Sequence, residues 1–171
     1  FILMDLGEAD IRPYKLGKAL SMITSLAKIH SLGKVHFDIK FDNFVISLDE
    51  NKPNKIYYID FDSVKEISSV GRDETVGTST VSCRSPERDY DYPTKEDVFS
   101  LGMTLYFFKY PERKEESFLA PSRAWLDDQI DFLDNSNDPL DNVISVMLKE
   151  PDARYRDGFS VCDALSVKGL S

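Results

Sequence analysis

Val35-His36-Phe37-Asp38-Ile39-Lys40-Phe41-Asp42-Asn43 is the stretch on which the reading of this chain turns. Asp38 stands two residues after His36, Lys40 two residues later, and Asn43 five residues after Asp38. One short loop therefore carries three groups: a carboxylate that can accept a proton from a nucleophile, an ammonium that can neutralise a transferring phosphoryl group, and an amide oxygen that can ligate magnesium. Phosphoryl transfer needs those groups within a few ångströms of each other. Taken alone, the loop also fits a polar turn between two strands, so its surroundings decide.

Upstream, Leu16, Leu20, Ile23, Ala27 and His30 recur at helical spacing, Leu26 and Ile29 widen the stripe, and Gly33 stands just past its end. This predicts an amphipathic helix that delivers the chain into the loop. Downstream, Phe44 to Leu48 and Lys55 to Ile59 are short β-rich runs separated by the turn cluster Asp49-Glu50-Asn51-Lys52-Pro53-Asn54. They predict a hairpin whose second strand ends in Asp60-Phe61-Asp62, returning the Asp60 carboxylate to the neighbourhood of Asn43. Two magnesium-ligand candidates converge there.

Ser63 to Ser82 is polar and aperiodic and reads as a long loop, closed by Ser85-Pro86-Glu87. Thr94-Lys95-Glu96-Asp97 has the form of a helix start. The helix it opens carries Val98, Phe99, Leu101, Met103, Leu105, Tyr106, Phe107 and Phe108, apolar all round and shorter than a membrane span. It is expected to be the buried spine. Pro111 to Ser117 reads as a charged connection. Leu126, Ile130 and Leu133, flanked by Trp125 and Phe132, predict a helix after Pro121-Ser122. Asp138-Pro139 opens another, with Leu140, Val143, Ile144, Met147 and Leu148 on its inner face, and a last short helix is expected over Phe159 to Val167.

The length of 171 residues suits one domain or one large subdomain. A net charge of -9 lacks the basic footprint of a nucleic-acid binder, so no nucleic-acid partner is expected. No apolar run approaches a membrane span and no signal peptide is visible. The expectation is therefore no membrane partner and an intracellular location, cytoplasmic or nuclear. Cys83 and Cys162 lie far apart without metal-ligand spacing, which argues against a disulfide framework or a zinc site. The apolar run Phe1 to Met4 reads as the last strand of something upstream, hence a fragment.

The order of these landmarks resembles that of the protein kinases. The opening stretch is similar to their catalytic loop His-Arg-Asp-Leu-x-x-x-Asn, with Phe37 for Arg and Ile39 for Leu. Asp60-Phe61-Asp62 resembles Asp-Phe-Gly, and Ser85-Pro86-Glu87, preceded by Cys83-Arg84, resembles Ala-Pro-Glu. Asp97-Val98-Phe99-Ser100-Leu101-Gly102 resembles the Asp-Val-Trp-Ser-Leu-Gly of the buried central kinase helix, and Pro151-Asp152-Ala153-Arg154 resembles Pro-x-x-Arg. The match is to the C-terminal lobe. It implies a mainly α (α+β) fold with helices around a buried central helix and a small hairpin carrying the metal site. Residues 1–10 would be the end of the last N-lobe strand and the hinge, and 11–171 the C-lobe.

By that resemblance the function is transfer of the ATP γ-phosphate to Ser or Thr hydroxyls of a protein substrate, with ATP and Mg2+ as cofactors. Asp38 is implied as catalytic base and Lys40 as the phosphoryl-stabilising lysine of serine/threonine kinases. Asn43 and Asp60 would be the metal ligands. Met4, Asp5, Leu6, Gly7 and Val45 are implied as nucleotide-binding residues. His36 and Phe61 would stack structurally, and Asp97 would reach back to the catalytic-loop backbone. Glu87 and Arg154 would form an ion pair anchoring the substrate loop, and Thr80 would contact the catalytic Asp and Lys.

Three features depart from the family pattern. Phe37 removes an arginine that binds activation-loop phosphate in many kinases, so activity is not expected to depend on that switch. Asp62 replaces a glycine that supplies backbone freedom and adds a third carboxylate near Asp60 and Asn43. The glycine-rich loop, strand lysine and partner glutamate are not in the sequence, so an upstream N-lobe or a partner supplying it is expected, and the chain alone is expected to be nearly inactive. Two alternatives stay open: a pseudokinase or scaffold module, and a small-molecule kinase of the aminoglycoside or choline type, in which Ile-Asp-Phe is often followed by an acidic residue.

Overall fold

The first long helix, α1 (Leu16–Ser31), buries Ala19, Met22, Ile23, Leu26, Ala27 and His30 along one face. The computed structural model describes residues 11, 13–70, 83–87, 89, 91–113 and 120–170. Leu16, the first member of the expected stripe, is exposed; Lys18 is buried in its place, its Nζ donating to the carbonyls of Ile11 at 2.6 Å and Pro13 at 3.2 Å. Those bonds pin the incoming chain against the helix. Gly33, at φ +70°, follows Leu32 in the left-handed region that glycine enters without a Cβ penalty, and its N–H caps the His30 carbonyl.

The chain then runs through β1 (Lys34–Val35) and the loop, closing with a 3-10 turn at Phe41–Asn43. Strands β2 (Phe44–Ile46) and β3 (Ile56–Tyr58) form the expected antiparallel hairpin in the register Phe44↔Tyr58, Val45↔Tyr57, Ile46↔Ile56. One more bond, Ile59 N–H to the Asn43 carbonyl at 2.9 Å, carries the pairing up to the loop. The stretch expected as loop from Ser63 begins otherwise: β4 (Lys65–Glu66) pairs antiparallel with β1, and a 3-10 turn follows at Ile67–Ser69. A two-residue strand shows no periodicity, and its partner lies some thirty residues upstream, so nothing local announces it.

Helix α2 (Thr94–Lys109) is buried almost from end to end, as its apolar sequence implies. Its start differs in detail. Pro93 occupies the cap position, and the Thr94 hydroxyl donates to the Arg156 carbonyl instead of capping the helix, so the Thr94-to-Asp97 spacing is no capping box. Ser122, Asp138 and Asp157 do cap α3 (Arg123–Asp134), α4 (Pro139–Leu148) and α5 (Gly158–Val167), each side chain accepting a backbone N–H of the first turn. Among the described residues no helix is long and apolar enough to cross a membrane.

Helix α4 packs on α2, α3 and α5, and α5 packs on α1. Leu101, Met103, Leu105, Leu126, Leu133, Val143, Ile144, Met147 and Leu148 fill the resulting core with Met22, Ile23 and Leu26 of α1. Gly158 lets α5 touch α1: a Cβ there would lie 2.6 Å from the Ala27 nitrogen and 2.7 Å from its Cα, both backbone atoms. The hairpin and the loop lie over α1 and the start of α2, which places the polar residues of 36–43 at one end of the helical core.

Candidate active site

Three groups of the loop gather around Asp38. The Asn43 side-chain nitrogen donates to the Asp38 carbonyl at 2.7 Å and to its Oδ2 at 2.9 Å, and Lys40 Nζ lies 3.1 Å from the same Oδ2. Asp38 Oδ1 is buried and has no hydrogen-bond partner among the described residues. A buried carboxylate oxygen without a partner is costly in a finished structure. It is an acceptor that the described residues leave open. Because both Asn43 N–H groups face Asp38, the Asn43 amide oxygen is its remaining ligand atom.

The loop backbone is held in an unfavourable shape. Phe37 sits at φ +61° and Asp60 at φ +60°, a region that bulky side chains avoid and that clusters at functional sites. Asp97, fully buried at the start of α2, accepts the Phe37 N–H on Oδ1 at 2.8 Å and the His36 N–H on Oδ2 at 2.7 Å. The same Oδ2 faces His30 Nε2 at 3.1 Å. His30 Nδ1 accepts the Gly158 N–H at 2.9 Å, and a backbone N–H can only donate, so the ring proton sits on Nε2 and points at Asp97. One line of bonds thus joins α5, α1, α2 and the loop. His30 was legible only as a core member of the α1 stripe; its position at the helix end, beside the loop, was the available signal.

The His36 ring packs against Tyr58 and Phe61, each at 5.4 Å between centroids, and its Nδ1 accepts the Asp38 N–H at 3.3 Å. The Tyr58 phenol is fully buried, donating to the Met22 carbonyl; burial first, and then the Asp97 charge, hold its pKa well above 10. Phe61 is half exposed, Asp60 and Asp62 are exposed, and Val45 is buried on β2. Positive φ falls on Asp60 and not on Asp62, so a side chain at 62 costs no backbone strain in this conformation. Met4, Asp5, Leu6, Gly7 and Thr80 lie outside the described residues.

The expected ion pair between Glu87 and Arg154 is not formed. Glu87 is taken by Arg123, whose Nε and Nη2 reach its two oxygens at 2.9 and 2.5 Å. These bonds hold the Glu87 carboxyl below its ordinary pKa. Arg154 is buried, donating to the carbonyls of Lys149 and Lys95 and to Ser85 Oγ, with its guanidinium over the Phe99 ring at 4.8 Å. Burial draws its pKa down to about 10, against the pull of Glu96, which still leaves it charged at neutral pH. The reason for the exchange is local: Ser85 offers Arg154 a hydroxyl, and Arg123 at the start of α3 brings Glu87 a second guanidinium.

A hard oxygen-ligated cation fits what is present: the spare Asn43 amide oxygen, and Asp60 one residue beyond the Ile59–Asn43 bond. Among the described residues no three His, Cys, Asp or Glu side chains gather as a metal site, so Asp62 does not complete a carboxylate cage. Magnesium characteristically takes one or two protein ligands and completes its shell with water and phosphate oxygens.

With this geometry in view, comparison with known proteins is direct. The pattern of the protein kinase domain matches residues 8–154. The chain belongs to the protein kinase domain family. It is similar to serine/threonine-protein kinase D of Synechocystis, 26% identical over 85% of this chain and 30% of that protein. A probable serine/threonine-protein kinase of Dictyostelium discoideum is 49% identical over 55% of this chain and 20% of its own length. The chain thus spans less than a third of these relatives. Among solved structures, the Rad53 kinase domain with SCD2 in complex with AMPPNP superposes with a TM-score of 0.56 at 20% identity, over 88% of this chain and 56% of that one, a likeness of fold. The mainly α architecture around a buried central helix is that of a protein-kinase-like domain.

Proposed function

We propose that the chain is the C-terminal lobe of a serine/threonine protein kinase, residues 11–171 forming the lobe and residues 1–10 leading in from the nucleotide-binding lobe. The observation that carries this reading is the buried Asp38 carboxylate: one oxygen is held by Asn43 and Lys40 and the other has no partner among the described residues. Asp38 Oδ1 would accept the proton of a protein Ser or Thr hydroxyl and orient its oxygen for attack. Lys40, already 3.1 Å from Asp38, would place its ammonium against the negative charge of the transferring group. Asn43 and Asp60 would hold Mg2+, which when bound with ATP neutralises the phosphate oxygens. Asp97 would keep the loop in its strained shape so that these groups need not reorganise during transfer. An upstream lobe, on the same chain or from a partner, would cover the nucleotide. The kinases to which the chain is similar support this substrate class.

The test is calorimetric binding of ATP with magnesium to this chain and to the protein extended upstream. Binding by the extended protein that Asp60→Ala abolishes, together with phosphorylation of peptides and not of small alcohols, is the expected result. Absence of binding in both forms would refute it and leave a scaffold role, to which Phe37 and Asp62 would then point.

A further inference from the structure

Among the described residues, strand β3 has a strand partner on one side only, β2. The Ser47 N–H donates to the Lys55 carbonyl at 2.8 Å, so Lys55 is a bonded position of the ladder, and its neighbour Ile56, opposite Ile46, turns its own N–H and C=O away from β2. Helix α1 takes both groups. The Ile56 N–H donates to Ser21 Oγ at 2.9 Å, and one helical turn on, Ser25 Oγ donates to the Ile56 carbonyl at 3.3 Å. Gly17, one turn before Ser21, leaves room for the Asn54 side chain: a Cβ at 17 would lie 3.2 Å from its Nδ2. Gly17, Ser21 and Ser25 thus form one edge of α1, along which residues 54–56 lie. A two-stranded hairpin is marginal by itself in water, and α1 completes it where a third strand would stand.

We propose that Ser21 and Ser25 are positioning residues for divalent-cation binding: by holding the Ile56 backbone to α1 they set where β3 delivers Asp60 relative to Asn43. The inference rests on the kinase reading given above, in which those two residues hold Mg2+. The two candidate ligands hang from different supports. Asn43 is fixed by its bonds to Asp38, and the loop that carries both is fixed to α2 through Asp97. Asp60 is carried by the end of β3. That strand is fixed at two points, by the Ile59 N–H on the Asn43 carbonyl and by Ile56 on the two serines, and two points set a direction. With the serine hydroxyls gone, the strand can turn about the remaining point. A turn of about 10° over roughly two residue spacings, ~6.6 Å, moves the Asp60 carboxylate by about an ångström. Ligand distances in a metal site hold to within about 0.2 Å, so a shift of that size is felt in affinity.

The experiment uses the protein extended upstream and manganese(II) with ATP as the probe, the free manganese being read by electron paramagnetic resonance. Thermal melting and amide hydrogen exchange accompany it. The paired substitution Ser21→Ala with Ser25→Ala is expected to weaken manganese binding by on the order of tenfold. It is also expected to speed exchange over 56–60 while sparing 36–38. Alanine is a better helix former than serine, so α1 itself is not weakened. Ser21→Thr with Ser25→Thr keeps both hydroxyls and is expected to restore binding to within about threefold of the unsubstituted protein. Thr24→Ala on the same helix removes a hydroxyl that turns back onto the Leu20 carbonyl, and is expected to change nothing. Unchanged manganese affinity in the alanine pair would overturn the proposal. So would an equal loss in the alanine and threonine pairs, since the hydroxyls would then not be the cause. A loss accompanied by faster exchange at 36–38 and a fall in melting temperature would mark a merely structural effect and overturn it as well. An unsubstituted protein that binds no manganese with ATP would instead refute the kinase reading itself, and this inference with it.

Discussion

Asp97→Asn is the sharpest perturbation of this fold, because the side chain keeps its shape and loses its capacity. The carboxylate takes three donors on two oxygens: Phe37 N–H on Oδ1, and His36 N–H with His30 Nε2–H on Oδ2. An amide has one oxygen. If that oxygen faces His36 and His30, the new NH2 meets the Phe37 N–H; if it flips, two donors are opposed. At the least, one charge-assisted bond is replaced by a donor facing a donor in a site with no solvent access. A bond to a charged acceptor contributes about 1.5–3 kcal/mol, and stranding a buried donor costs a further ~1–3 kcal/mol. The Phe37 backbone, held at φ +61°, then has nothing opposing relaxation of roughly 1–3 kcal/mol of strain, which returns part of the loss. The net destabilisation is about 3–4 kcal/mol, a drop of roughly 10 °C in melting temperature for a chain of this size. Urea unfolding measures the first, and amide exchange at His36 to Asp38 reports whether the loop has been released. A loss below about 1 kcal/mol with unchanged exchange at those amides would show that Asp97 does not hold the loop, and the reasoning would fail.

Two further outcomes follow from the same contacts. Gly158→Ala drives a methyl into the Ala27 backbone and pushes the Gly158 N–H off His30 Nδ1, so a destabilisation of about 3 kcal/mol is expected by urea titration; a change within about 0.5 kcal/mol would mean that α5 yields freely. Glu87 gives an acid limb. Its folded pKa is depressed below 4.5 by Arg123, so the unfolded chain binds the proton more readily, and the pair's contribution is present above that value and lost as pH falls through the folded one. Glu87→Gln is expected to flatten stability against pH below about 4.5, whereas an unaltered slope would assign the limb to other carboxyls.

The sequence by itself determined the helices, the hairpin and their order. Helix α1, the hairpin, the buried α2 and the capped starts of α3 and α4 follow from periodicity, turn residues and cap residues, because those signals are local. Asp38, Lys40 and Asn43 lie within six residues, so their meeting was legible as well. Only the tertiary structure decided which polar groups pair across the fold. His30 turned out to link Gly158 to Asp97, β4 to pair with β1, and Glu87 to choose Arg123 over Arg154. Each of those choices joins segments some thirty to more than a hundred residues apart, and a guanidinium or an imidazole commits to whichever acceptor the packed helices bring within about 3 Å. Spacing along the chain carries no trace of that distance.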